Sequence, residues 1–120
     1  MSFFDSDIVQ QEAREIMQLQ DSLMFLMPRM TTLNKSELIN LFDSMILLLE
    51  KQKIFYARMQ LSGDEEAKEF RDNLVAAASM FGVHEKGLSL NELYDSFISR
   101  MQEMKDRAEK GTLNFDAPFP

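Results

Sequence analysis

The single histidine, His84, is the first side chain to consider as a catalytic residue or a metal ligand. A catalytic triad holds its histidine beside a nucleophile and a third, orienting group, and nothing in the spacing around His84 indicates that arrangement. A di-iron centre in a helical bundle needs a Glu-x-x-His motif on each of two helices, which one histidine cannot supply. Because the chain has no cysteine, zinc sites built from Cys and His are excluded as well. We interpret His84 as a solvated loop residue and expect no metal or other cofactor.

Two groups of carboxylates could perform acid–base chemistry if they were buried. Glu12 and Glu15 lie three residues apart, and a second group occupies residues 64–72. Lys68 and Arg71 stand at helical neighbour spacing within the second group, which is typical of a solvated helix face. The four glycines are scattered, so no glycine-rich phosphate loop is present. We expect the protein not to be an enzyme, with a carboxylate-based enzyme as a distant alternative.

One short basic stretch contains interleaved aromatic residues. Lys51, Lys53 and Arg58 flank Phe55 and Tyr56, a combination that could contact phosphates and stack bases. The chain as a whole carries a net charge of −7, which is the opposite of a general nucleic-acid binder. The alternative is that both aromatic rings point inward while the three cations are solvated. We therefore keep Lys51, Lys53 and Arg58 only as weak candidates for nucleic-acid contact.

Methionine is over-represented, with ten Met in a chain that has no tryptophan. Its flexible side chain fills irregular cores and also suits surfaces that re-pack against partners, and we interpret most of these methionines as core residues. Exposed Met and aromatic side chains are typical of interface cores. The candidate partner-binding residues are Met24, Phe25, Met27 and Met30 near the first helix end, and Phe115, Pro118 and Phe119 near the end of the sequence.

The first two helices that would position these residues are marked by apolar periodicity and by capping residues. Helix 1 is predicted from Asp5 or Ser6 to Met27, where Pro28 disfavours further helix and a short connection over 29–33 follows. Helix 2 is predicted to open with a capping box of Asn34 and Glu37. Its inward stripe comprises Leu38, Leu41, Phe42, Met45, Leu48, Leu49, Gln52, Phe55, Tyr56 and Met59.

Two further helices complete the predicted fold. Helix 3 follows a capping signature at residues 62–65 and reaches about Phe81, with Gly82 past its end. Helix 4 begins with a capping box at 89–92 and continues to Lys110, with Gly111 as its terminator. Its inward residues are predicted to be Leu90, Leu93, Tyr94, Phe97, Ile98, Met101 and Met104.

The pattern predicts an all-α fold, an antiparallel bundle of about four helices with a long N-terminal helical hairpin. Residues 1–111 form one domain and residues 112–120 an extended apolar tail, because Pro118 and Pro120 cannot continue a helix. Helices 1 and 2 are longer than helix 3, which suggests a homodimer. No apolar run approaches the ~20 residues of a membrane span. With no signal peptide visible, we expect a cytoplasmic protein.

Two segments carry a resemblance to a known family. The run 3–10 (FFDSDIVQ), followed by Glu12 and Ala13, resembles the start of a family of small helical proteins from cyanobacteria and some of their phages. This is the domain of unknown function 1825 family. The segment 54–62 (IFYARMQLS) is similar to its mid-chain pattern, and the resemblance covers about residues 3–105. It implies a cyanobacterial or phage source and offers no catalytic residues to carry over.

Two functional hypotheses follow. The first is a non-catalytic protein that acts through protein–protein interaction, as an adaptor or regulatory module of a cyanobacterial or phage system. The second is a homo-oligomeric structural protein in which the stripe of helix 2 completes a dimer core. The first rests on the lack of a catalytic motif and on the exposed Met and Phe candidates, and its partner would be another protein.

Overall fold

The computed structural model describes residues 5–61, 66–83 and 89–113, and gives only the backbone of residues 60 and 66–71. Within these ranges the chain forms α1 (Asp7–Leu26), a 3₁₀ helix (Met27–Thr32), α2 (Lys35–Leu61), α3 (Glu66–Met80) and α4 (Leu90–Lys110), with no strand. The predicted all-α fold is confirmed. His84, the capping signature at 62–65 and the tail residues 114–120 lie outside the described residues.

The first helix ends slightly earlier than predicted. Ser6 occupies the N-cap position of α1, with extended backbone angles and no side-chain hydrogen bond. α1 ends at Leu26 instead of Met27, and the predicted connection over 29–33 is mostly the 3₁₀ helix. Pro28 explains this, because a proline in the first turn of a helix lacks only an N–H that would have had no intrahelical partner. The chain therefore tightens after Leu26 without leaving helical geometry.

α2 is the central helix of the fold. It has 27 residues, about 40 Å at the usual rise, and it packs against α1, α3 and α4. Most of its predicted stripe is buried, and each large apolar side chain removed from water contributes about 1.5–3 kcal/mol. The buried members are Leu41, Phe42, Met45, Leu49, Gln52, Phe55, Tyr56 and Met59, with Leu38 and Leu48 half-buried at the edge.

Ion pairs between side chains set the direction of α2 relative to α1. Lys51 Nζ lies 3.4 Å from Glu15 Oε2, and Arg58 Nη1 lies 2.8 Å from Glu12 Oε1. The later of these two α2 residues pairs with the earlier of the two α1 residues, so the helices run antiparallel. The predicted hairpin is confirmed. Ion pairs as exposed as these contribute about 0–1 kcal/mol each to the free energy of unfolding. Their main effect is therefore on how α1 and α2 align along each other.

The interface between α2 and α4 is antiparallel as well. Lys53 Nζ lies 2.6 Å from Asp95 Oδ1 near one end, and Lys105 Nζ lies 2.7 Å from Asp43 Oδ1 near the other. The inward face of α4 follows the prediction except at Ile98, which is only half-buried against the core, and it adds Arg100 and Ala108 to the buried set. Its buried residues are Leu90, Leu93, Tyr94, Phe97, Arg100, Met101, Met104 and Ala108.

Arg100 is a buried cation that joins α4 to the end of α3. Only 9% of Arg100 is exposed, and its Nε donates to the backbone carbonyl of Phe81 at 3.1 Å. Its Nη1 lies 3.1 Å from Glu103 Oε2, while the rings of Phe81 and Phe97 meet at 5.6 Å. A guanidinium at a helix C-terminus offsets the partial negative charge of the last carbonyls. This contact fixes where α3 ends against the bundle.

Three predicted helix ends are confirmed in detail. Asn34 and Glu37 form a reciprocal capping box, with the Glu37 N–H donating to Asn34 Oδ1 at 2.8 Å. Ser89 and Glu92 form a second box, and the hydrogen bonds from Ser89 hold the pKa of the Glu92 carboxyl below its usual value. Gly111, at φ +71°, ends α4 in the left-handed conformation that favours glycine.

Replacing Ser89 with alanine should destabilise the protein by about 1 kcal/mol, because the box loses its hydroxyl acceptor. Ser6→Ala is the matched control, since Ser6 also sits at an N-cap but accepts no such bond. Denaturant unfolding of both variants gives the comparison. Equal losses of stability in the two variants would show that the side-chain bond at Ser89 is not the stabilising element.

Candidate functional site

An apolar groove lies between α1 and α3, two helices that scarcely touch each other in the described part of the chain. α2 and α4 supply its floor, and its volume is about 420 Å³, within the range of ligand sites. We call it the α1–α3 groove. It is lined by Gln20, Leu23, Met24, Met27, Met45, Leu48, Leu49, Gln52, Tyr56, Asn73, Leu74, Ala77, Phe81, Tyr94 and Phe97.

Two methionines stand in the groove wall, Met24 on α1 and Met27 at the start of the 3₁₀ helix. Met17, Gln20 and Met24 follow one another at intervals of three and four residues, so they share one side of α1. Met24 is 70% exposed, and Met17, which lies beyond the groove lining, is 60% exposed. On α3, Met80 is 71% exposed and lies on the same helical face as the groove-lining Ala77. Soft, mobile side chains of this kind adapt to apolar guests of different shape.

The floor of the groove carries a small polar cluster within apolar surroundings. Tyr94 is fully buried, and its hydroxyl donates to Gln52 Oε1 at 3.5 Å. The ring of Tyr56 lies 6.0 Å from that of Tyr94, and Gln20 and Asn73 add two carboxamides nearer the rim. Every polar side chain that lines the groove within the described residues is thus a carboxamide or a phenol. None of these described lining residues is charged.

Burial determines the protonation of the two phenols. It raises the pKa of Tyr56 to about 12, and it raises the pKa of Tyr94 further, with a smaller contribution from Tyr56 beside it. Both tyrosines therefore keep their protons at neutral pH. They act as hydrogen-bonding groups and supply neither a base nor a nucleophile.

The candidate partner-binding residues near the first helix end fall into two sets. Met24 and Met27 line the groove. Met30 packs half-buried against the core from the 3₁₀ helix. Phe25 does not line the groove; it is 61% exposed, with the Arg29 guanidinium 4.0 Å from the centre of its ring. Only Met24 and Met27 belong to the candidate site.

The remaining partner-binding candidates belong to the tail. Phe115, Pro118 and Phe119 lie outside the described residues, so their role stays a prediction. The chain does leave helical geometry after Lys110, and Leu113 packs against the core.

The three basic candidates for nucleic-acid contact are engaged within the chain. Lys51 and Arg58 pair with carboxylates of α1, and Lys53 pairs with a carboxylate of α4. Phe55 and Tyr56 are 3% and 5% exposed, so their rings are directed into the core and away from bases. A phosphate would have to compete with carboxylates for these cations, and the structure offers it no stacking partner among these residues.

A second cavity of about 470 Å³ lies beside Arg100 and contains four charged or hydroxyl residues besides the arginine. Its carboxylates already form ion pairs, Asp95 with Lys53 and Glu103 with Arg100 and Arg107. In the described ranges, no three His, Asp or Glu side chains gather as a metal ion would require. No helix there combines the length and apolarity needed to cross a bilayer.

Sequence reasoning placed Gln52 in the stripe of α2 but assigned it no role. The available signal was its type, since it is the one amide in a stripe of aliphatic, aromatic and methionine side chains. Gln20 and Asn73 gave no comparable signal, because each lies on a helix with many polar residues. Their position at the groove follows from how α1 and α3 stand apart.

The tyrosine environment makes a testable prediction, because these are the only two tyrosines and the chain has no tryptophan. At pH 10, where an exposed tyrosine is half ionised, the folded protein should show almost no tyrosinate absorbance. The folded state binds the phenolic protons more tightly than the unfolded chain, so stability should fall as pH rises from about 10 towards 12. Tyr56→Phe should remove the earlier ionisation step. A step centred near pH 10 in the folded protein would contradict the buried floor.

Comparison with known proteins adds a family. The model of a family described as Domain of unknown function (DUF1825) matches residues 1–108, which is most of the chain. No curated protein and no solved structure matches this chain. The chain therefore belongs to the DUF1825 family, whose description assigns no function.

Proposed function

We propose that this protein is a non-catalytic interaction module that binds an apolar helix of a partner protein in the α1–α3 groove. The observation that carries the proposal is the groove itself, an opening of about 420 Å³ with Met24 and Met27 in its wall and no charged side chain among its described lining residues. In this proposal the protein is an adaptor or regulatory module in the cytoplasm of a cyanobacterial or phage system.

The geometry of the groove favours a helix over an extended peptide. Its floor and walls are helices, whose backbone N–H and C=O groups are largely used within the helices themselves. An extended guest would bury its own backbone groups against side chains that cannot pair them, and an unpaired buried group is costly. A helix arrives with its backbone satisfied and presents side chains at intervals of three and four residues, which is the established helix-in-groove mode.

The chemistry of the groove supports binding over catalysis. Its polar groups are carboxamides and protonated phenols, and neither type takes a proton from a substrate at neutral pH. The two α1 carboxylates considered for acid–base work are held in ion pairs with Lys51 and Arg58, away from the groove. Adaptable methionine surfaces are typical of proteins that bind apolar helices.

A photoreactive side chain at position 24 tests this proposal. Irradiation in a lysate of the source cells should cross-link one protein, and the attached segment should have apolar residues along one helical face. A synthetic peptide of that segment should bind the wild type, and Met24→Lys should weaken it by at least about tenfold by placing a charge on the wall.

Ile54→Lys is the matched control, because Ile54 is exposed to a similar degree, 56% against 70%, on a part of α2 that does not line the groove. This variant should bind the peptide as the wild type does. Equal weakening by both substitutions, or cross-linking to segments without an apolar face, would overturn the proposal.

A homo-oligomeric structural role is the second candidate, and one observation favours it in a revised form. The inward stripe of α2, which was expected to complete a dimer core, is buried within the chain's own core. A different row is open: Leu47, Ile54 and Leu61 are 44%, 56% and 89% exposed and recur every seven residues, which places them on one side of α2. Light scattering that gives a monomer at tens of micromolar would end this candidate.

A further inference from the structure

We infer that Gln52 is the recognition group of the α1–α3 groove, and that it selects a guest helix carrying an uncharged hydrogen-bond acceptor at the centre of its buried face. A carboxamide side chain, Asn or Gln, is the acceptor that fits best. The inference rests on the proposed function and specifies the chemistry of the partner.

The first argument is the unused hydrogen-bonding capacity of Gln52. The side chain is 93% buried, being 7% exposed, and it lines the groove. Its Oε1 accepts a hydrogen bond from the Tyr94 hydroxyl. A carboxamide also has two N–H donors, and within the described residues these donors meet no protein acceptor. Because Gln52 lines the groove, a guest there can reach these donors.

The second argument is the cost of closing the groove over such a group. While the groove is open, water can bond the Gln52 N–H groups. An entirely apolar guest would displace that water and leave the donors buried without partners, which is unfavourable. A guest with an acceptor at this depth replaces the water bond, so the groove discriminates among apolar helices by this one position.

The third argument concerns charge. The groove lining has no lysine or arginine among the described residues to pair with a buried carboxylate. Gln52 Oε1 could accept one further hydrogen bond besides that from Tyr94, but a single neutral carbonyl does not compensate a buried ammonium group. Burying an unpaired ion is far costlier than burying an amide, so the fitting acceptor is neutral.

Two small probes of nearly the same shape, acetophenone and cumene, test the inference without knowledge of the partner. They differ in the carbonyl oxygen that only acetophenone presents. Binding is followed by NMR of carbon-13 methionine methyl groups in the full chain. The groove reporters are Met24, Met27 and Met45, and the internal controls are Met59, Met101 and Met104, which are at most 1% exposed and do not line the groove.

The dissociation constants of both probes are measured in the wild type and in Gln52→Leu, and the ratio of the acetophenone constant to the cumene constant is compared between the two proteins. Taking this ratio cancels the effect of a general change in groove hydrophobicity, because both probes experience it. Gln52→Leu should weaken acetophenone roughly 3- to 10-fold relative to cumene, the effect of one hydrogen bond. Gln18→Leu makes the same change at an exposed position of α1 that does not line the groove, and it should leave the ratio unchanged. If the Gln52→Leu variant does not fold, Gln52→Met replaces it in the same comparison.

The outcomes separate the two proposals. If both probes move the groove reporters and the ratio stays within twofold, the role of Gln52 is wrong and the groove remains a binding site. If neither probe moves Met24, Met27 or Met45, the groove takes no apolar guest and both proposals fall. If the preference is found but position 24 cross-links no helix, the groove has the inferred chemistry and the protein-docking function is wrong.

Discussion

Burial of one continuous stripe on α2 is the constraint on which the rest of this fold depends. The helix is 27 residues long, and its inner face carries aliphatic, aromatic and methionine side chains along almost its whole length. α1 and α4, with 20 and 21 residues, pack antiparallel to it and cover much of that face. α3 has 15 residues, about 22 Å, and also packs against α2. The α1–α3 groove lies between α1 and α3, which scarcely touch each other among the described residues.

The groove floor shows how a helical core accommodates polar atoms. Phenols and carboxamides are costly to bury unless they are hydrogen-bonded, and the Tyr94–Gln52 contact meets part of that requirement. A core that needed stability alone would be served by leucine at this position, since a partly satisfied polar group is inferior to an apolar one. On the inferred role of Gln52, the groove gains selectivity at some expense of stability.

The charges of the molecule are arranged around this core and away from the groove. The cations of α2 pair with carboxylates on α1 and α4 and so record the antiparallel register of both interfaces. Arg100 has a different task, because its buried guanidinium binds the end of α3 and thereby sets the position of one groove wall. The chain as a whole carries a net charge of −7, so acidic side chains outnumber basic ones.

The amino-acid sequence by itself determined the helices, their ends and the stripe of α2, because these follow from local rules. Asn34, Ser89 and Gly111 act through neighbours within a few residues, and apolar periodicity marks the buried face of each helix. One prediction from these local rules was inaccurate. Pro28 was expected to disfavour further helix, but it fits the first turn of a 3₁₀ helix.

Only the tertiary structure decided which exposed residues share a site. Met24 and Phe25 are adjacent in sequence, yet one lines the groove and the other lies under Arg29, because one residue rotates the side chain by about 100° around a helix. Arg100 is buried because the end of α3 arrives beside it. Gln52 matters because α1 and α3 stand apart above it, a separation set by the lengths and packing of whole helices. No local pattern encodes that separation, so the candidate site could not be read from the sequence, whereas the helices that build it could.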